Sequence, residues 1–204
     1  MKHLGWIALV ATALVFPCSS AVAQELVVNG GFETGDFTGW TQFGDGGFTG
    51  VTDVNGFGIP PHGGTFLSYY GPTGAIGGIT QTVATTAGQT YNLSYWLQNL
   101  GGTPNEFQLS WEGNLVNDIV NAPGDTDWVN YTATLTATVS GSTLSFGFFD
   151  PPSYILMDDV SLMGASVPEP TTWALFGGSG LLVTGGYYWR RLRARKVRGF
   201  TTKK

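Results

Sequence analysis

Apolar and polar positions alternate with period two along much of the chain. Tyr91, Leu93, Tyr95 and Leu97 share one face of a segment whose other face carries Asn92, Ser94 and Trp96. Phe107, Leu109 and Trp111 share a face, and Val129, Tyr131, Ala133, Leu135 and Ala137 alternate with Asn130, Thr132, Thr134, Thr136 and Thr138. Leu144, Phe146 and Phe148 repeat the pattern. A strand sends successive side chains to opposite faces, so each segment is expected to be a strand with one buried face. Further strands are expected at 25–29, 50–54, 65–70, 79–83 and 154–162. Gly, Pro, Asn and Asp punctuate the intervals, and no useful helical period occurs between them. The pattern predicts an all-β, two-sheet antiparallel jelly-roll sandwich.

Composition agrees and narrows the function classes. Of 204 residues 31 are Gly, aromatics make up 14% and charged residues only 11%, which excludes a coiled coil, a helical bundle and a charged disordered chain. The placement of charge matters more than the net value of −5. No Lys or Arg occurs from Gln24 to Trp189, and all 14 Asp and Glu fall inside that stretch. Phosphate backbones need cationic neutralisation, so nucleic acid is excluded as a partner. A buried carboxylate in the middle of the chain has no Lys or Arg to pair with. It must be protonated, bonded to neutral donors, or bound to a metal ion.

Both ends read as addresses. Lys2 precedes an apolar run from Gly5 to Phe16, and Ala21-Val22-Ala23 supplies small residues before a cleavage point at Gln24. Residues 1–23 are therefore expected to be a secretory signal peptide removed by signal peptidase, the alternative being an uncleaved anchor. Cys18, the single cysteine, would leave with it. Phe16-Pro17 before Cys18 argue against a lipid anchor. At the other end, Val167, Pro168, Glu169 and Pro170 form a rigid spacer, Trp173 to Trp189 is uncharged, and Arg190 to Lys196 is strongly basic. An apolar run with aromatic boundaries and cations beyond predicts one C-terminal transmembrane helix over about 171–189, with the preceding domain outside the cytoplasm.

This three-part tail, residues 167–204, resembles the PEP-CTERM sorting signal. Such tails also carry the label "ice-binding protein C-terminal domain", which describes the sorting segment and not ice binding. The resemblance implies processing by a membrane exosortase near Pro168-Glu169-Pro170, after retention in the inner membrane, and delivery to the cell surface or matrix. Proteins with such tails accompany exopolysaccharide export and biofilm material. Residues 24–166 form the remaining domain. Its opening Asn29-Gly-Gly-Phe-Glu33 with Gly39-Trp40, its Gly88 to Tyr95 segment and its closing Leu156-Met-Asp-Asp-Val-Ser-Leu162 resemble galactose-binding-like jelly rolls, which include carbohydrate-binding modules. That resemblance implies a structural calcium held by Glu33, Asp158 and a carbonyl around Gly31, with a loop ligand from 62–65. By parity Asp158 lies with Leu156, Val160 and Leu162, so it is expected to point inward. Hydrogen bonds to backbone amides are the alternative to a cation.

Catalytic constellations are scarce. His62 is the only histidine after the signal, it lies in a Pro60-Pro61-His62-Gly63-Gly64 turn, and no nucleophile motif adjoins it. No carboxylate pair is singled out by spacing, so no enzyme is expected. Trp96, with Gln98 on the same side, has the character of a sugar-stacking surface, which Glu106, Gln108 and Ser110 would extend if the two strands were neighbours. The competing expectation is a Trp96 covered by a loop. The resulting reading is an exported, non-catalytic sandwich that associates with extracellular polysaccharide, the alternatives being a purely structural matrix protein or, more remotely, a calcium-dependent hydrolase.

Overall fold

The computed structural model of the chain describes residues 24–164. The signal segment 1–23, the sorting motif Val167 to Pro170 and the span 171–189 lie outside the described residues. Among the described residues there are ten strands: β1 Thr41–Gly44, β2 Thr49–Thr52, β3 Leu67–Tyr70, β4 Gly77–Val83, β5 Thr90–Asn99, β6 Glu106–Trp111, β7 Asn114–Val120, β8 Val129–Thr136, β9 Ser142–Phe149 and β10 Ile155–Gly164. A one-turn helix, α1 Val54–Phe57, starts on an Asp53 cap and stops at Gly58 in the left-handed region. Among the described residues no helix is long and apolar enough to cross a membrane.

The strands form two antiparallel five-stranded sheets, ordered β1-β4-β9-β6-β7 and β2-β3-β10-β5-β8. Only β2–β3 and β6–β7 are joined within one sheet; every other connection crosses between sheets. The alternating strands bury their apolar faces between the layers, as expected. Tyr91, Leu93, Tyr95 and Leu97 of β5 face Phe107, Leu109, Phe146 and Phe148, all essentially removed from solvent. Tyr70 stacks on Phe148 with ring centroids 3.7 Å apart and planes within 5°. Full burial of such rings contributes about 1.5–3 kcal/mol each, and these contacts hold the sheets in register.

Several expectations are corrected. The segment 25–29 contributes only an isolated bridge between Glu25 and Met163. β1 and β7, both sheet edges, were not anticipated. β5 and β6 belong to different sheets, so Trp96 and Gln98 cannot share a face with Glu106, Gln108 and Ser110. Gln108 instead donates to Glu106 Oε1 at 2.6 Å on the opposite side of the sandwich.

Asp158 is buried, but not by the route its parity suggested. Ile155 and Met157 enter the inter-sheet core, whereas Leu156 pairs with Gln98 and Asp158 with Trp96, which puts them on the outer face. The register then shifts between Asp158 and Ser161. Asp159 takes a left-handed φ of 47° there, and Val160 and Leu162 return to the core. A bulge adds one residue and so reverses the alternation that parity relies on.

The outer face of the β10-bearing sheet is covered by the long β2–β3 connection, residues 53–66. Phe57 of α1 packs edge-on against Tyr69 and Tyr154, with centroids 5.2 and 5.0 Å away. Leu67 and Leu156 are fully buried although neither belongs to the inter-sheet core. This connection makes a third layer over part of the sandwich, and it carries the candidate site.

Candidate functional site

Three acidic residues pin the end of the covering loop. Glu33 accepts the backbone N–H of Thr65 at 2.9 Å and of Phe66 at 3.1 Å. Asp158, with no exposed surface, accepts the N–H of Gly63 at 3.1 Å and of Asp159 at 2.7 Å. Asp159 Oδ2 lies 2.6 Å from His62 Nδ1. The loop approaches so closely because of Gly63 and Gly64. A Cβ on Gly63 would lie 2.5 Å from Asp159 Oδ2, and one on Gly64 would collide with the Glu33 carboxylate. Gly64 also has a φ of +62°, where a side chain is strained.

Gly31 borders the same acids. A Cβ there would sit 3.3 Å from Asp159 Oδ1 and 3.9 Å from Asp158 Oδ1. The fold therefore gathers Gly31, Glu33 and Asp158, and adds Asp159. Burial pushes the Asp158 carboxyl up to about 7, because amide donors from Gly63 and Asp159 only partly replace water. A hard cation suits such a group. Among the described residues, however, no three His, Cys, Asp or Glu side chains converge closely enough to hold a metal ion. A cation would need backbone oxygens and water to complete its shell. Its donors would be Asp158 and Glu33, helped by the Gly31 carbonyl, and Glu33 would share its carboxylate with the amides it already accepts.

The pinned loop sets one wall of a pocket. His62 lies flat on Trp96, with centroids 3.7 Å apart and planes 18° apart. Trp128, at the end of the β7–β8 loop, meets the His62 ring edge-on at 6.2 Å. Its Nε1 donates to the Pro60 carbonyl at 3.1 Å, which ties the two loops together. Between them lies a pocket of about 450 Å³, lined by Pro60, Pro61, His62, Gln98, Asp127 and Trp128 among others. That volume is in the range of small-molecule sites. Gln98 is 7% exposed and its Oε1 has no hydrogen-bond partner. That oxygen has no exposed surface, so the orphan acceptor lies behind the pocket wall and not in the pocket itself.

Trp96 is thus half-buried beneath His62 and is not an open platform. Gln98 reaches the pocket, and Gln108 does not. The sequence reading assigns no site role to Trp128, Asp127 or Asp159, and finds for His62 only a turn with no nucleophile motif beside it. Trp128 carried one signal: with Trp96 it is one of two described tryptophans that the core does not absorb, since Trp40 and Trp111 are buried.

The sandwich and its loops define a protein of the carbohydrate-binding-module type. Residues 24–154 match the family model described as "Carbohydrate binding domain", and the chain belongs to that family. Residues 166–193 match the PEP-CTERM protein-sorting motif. Among solved structures, TmCBM61 in complex with β-1,4-galactotriose is 21% identical, with a TM-score of 0.58, covering 70% of this chain and 99% of that one. The CBM22-1 xylan-binding domain of Paenibacillus barcinonensis Xyn10C is 21% identical, with a TM-score of 0.51, covering 73% and 100%. The Clostridium thermocellum Xyn10B CBM22-1-GH10 modules complexed with xylohexaose are 23% identical, with a TM-score of 0.50, covering 71% and 29%. These similarities establish the shared fold. A search of curated proteins finds no match.

Proposed function

We propose that the chain is an exported, non-catalytic protein that binds saccharide through the pocket between the 53–66 loop and Trp128. The observation that carries this reading is the pocket of about 450 Å³ walled by the Trp128 indole and two prolines and lined by the polar side chains of Gln98 and Asp127. An aromatic face stacks on pyranose C–H groups, and the polar side chains at the wall hydrogen-bond hydroxyls. Pro60 and Pro61 stiffen the wall, so little order is lost on binding. Similar structures hold galactotriose and xylohexaose, which supports a saccharide ligand without choosing one.

The sorting motif at 166–193 supports the route: export, retention by the C-terminal segment, exosortase processing, and release to the cell surface or to an exopolysaccharide matrix. A bound calcium at Asp158, Glu33 and Gly31 would serve as a structural pin for the loop that builds the pocket, with no part in chemistry.

A purely structural surface or matrix role is the second reading. It is favoured by His62, which occupies the face of Trp96 where a sugar ring would otherwise lie. A glycan array, run with and without calcium, separates the two. Binding that Gln98→Ala abolishes supports the pocket. No retention of any glycan supports the structural role.

A further inference from the structure

We infer that the saccharide site continues from the pocket across Gly58 onto an aromatic shelf of Phe57, Tyr69 and Tyr154, so that its ligand is a chain of several sugar units and not a single ring. The inference rests on the saccharide reading above and deepens it by adding a subsite to that pocket.

The first ground is the make-up of the shelf. Phe57 meets Tyr69 and Tyr154 edge-on, and the two tyrosines meet each other at 5.8 Å with planes 80° apart. All three rings are half-buried. Their packing alone asks for no hydroxyl, since a Phe at either tyrosine would fill the same space. Among the described residues neither phenol oxygen takes part in a hydrogen bond, and neither is one of the buried polar atoms left without a partner, so both open to solvent. A ring with its body against the protein and its hydroxyl in water is the form in which tyrosine serves at interfaces.

The second ground is the space cleared for these rings. Tyr69 leans over β2 onto Gly50, its register partner. A Cβ on Gly50 would lie 2.5 Å from the Tyr69 hydroxyl oxygen, and one on Gly71 would lie 2.9 Å from the Tyr154 ring. A side chain at either glycine would displace the tyrosine above it.

The third ground is continuity with the pocket. Gly58 and Ile59 line the pocket, and Gly58 directly follows Phe57. Gly58 has a φ of +67°, where a side chain is strained, and a Cβ there would meet nothing within 4 Å. The saddle between pocket and shelf is therefore bare and open. In the sheet beneath, Tyr69 and Gln98 pair with Leu156 from its two sides. Two strand spacings, about 10 Å, separate them. A single pyranose ring does not cover that separation, whereas a chain does, with one ring beside Trp128 and another on the tyrosines.

The test uses the full chain solubilised in detergent and calorimetric titration with two-unit and six-unit oligomers. They are oligomers of β-1,4-galactose, of β-1,4-xylose and of the host's extracellular polysaccharide, the last obtained by partial hydrolysis and size fractionation. In a series that binds, the six-unit chain should bind about tenfold tighter than the two-unit one. Tyr154→Ala should cost the six-unit chain about tenfold and the two-unit chain less than about twofold. The double variant Tyr69→Phe, Tyr154→Phe keeps the packing and should cost the six-unit chain about threefold. Trp128→Ala, in the pocket, should weaken both lengths alike. Equal affinity for the two lengths overturns the shelf and leaves the saccharide reading standing. A length preference that survives Tyr154→Ala and the double variant does the same, because it then comes from the number of positions a long chain offers. An equal loss at both lengths in Tyr154→Ala also overturns the shelf, because the ring then only supports the loop. Failure of every oligomer to bind overturns the saccharide reading and the shelf with it.

Discussion

His62 and Trp96 lie face to face, their ring centroids 3.7 Å apart, and Asp159 holds the far side of the imidazole through Nδ1 at 2.6 Å. The stack joins the β2–β3 loop to β5, and the acid joins it to β10. Three elements distant in sequence are thereby fixed at one wall of the pocket. The only mid-domain histidine serves as a clamp.

The clamp gives the two tryptophans opposite roles. Trp96→Ala removes the ring that supports His62 and should destabilise the domain by about 1–3 kcal/mol, read as a lower melting temperature. Sugar affinity should fall only as the loop loosens. Trp128→Ala should lower saccharide affinity about tenfold or more while moving the melting temperature little, because its ring is half-exposed at the pocket wall. Thermal melts and titration on both variants check this. A stable Trp96→Ala protein with lost binding would restore Trp96 as the platform.

Gly64→Ala tests the loop anchor. The position has a left-handed φ and faces the Glu33 carboxylate, so a methyl group adds backbone strain and displaces the acceptor of Thr65 and Phe66. A loss of about 1–3 kcal/mol is expected. Hydrogen exchange at the Thr65 and Phe66 amides should speed up. Wild-type stability and protection in the variant would show that the loop does not depend on Glu33.

Strands with strict alternation were legible because their period of two reports one-sided burial directly, as in β5 and β8. β7 was not, since Leu115-Val116 and Ile119-Val120 occur as pairs, and at a sheet edge Leu115, Val116 and Val120 all stay exposed. The burial of Asp158 could be anticipated; its direction could not, because the bulge at Asp159 shifts the register. The acids near Gly31 and Glu33 were found through motifs at the two chain ends of the domain. The pocket escaped notice because it joins the loops around residues 60 and 128 to Gln98 on β5, and their meeting depends on the sheet order.

The tail makes a cellular prediction. Residues 166–193 match the sorting motif, and Pro168-Glu169-Pro170 stands at its head. Deleting the host exosortase should leave an unprocessed, membrane-retained form of higher mass. Replacing Pro168-Glu169-Pro170 with alanines in the wild-type host should produce the same form. Mass spectrometry of fractionated cells reads both. Normal release at the mature mass in the deletion strain would exclude exosortase processing.

Two buried acids predict how stability depends on pH and on calcium. Burial raises the Asp158 carboxyl to about 7 and that of Asp150, whose oxygens have no hydrogen-bond partner, to about 6. An unfolded Asp titrates near ~3.9, so the folded domain binds these protons more tightly than the unfolded chain. Their contribution to stability is complete below about pH 4 and is lost as pH rises through the folded values. In chelator, the melting temperature should therefore fall between about pH 4 and pH 7. Asp158→Asn, which stays neutral, should remove the fall between about pH 6 and 7 and lessen it below, and Asp150→Asn should lessen it only below about pH 6. Calcium should reverse the fall, because it binds the ionised carboxylate in place of the proton. At ~100 times its dissociation constant it adds about 2.7 kcal/mol to the folded state. The gain should be largest at the alkaline end, small at the acid end and absent in Asp158→Ala. Superimposable melts in calcium and chelator at the alkaline end would exclude the cation. A flat profile in chelator would exclude the buried protons.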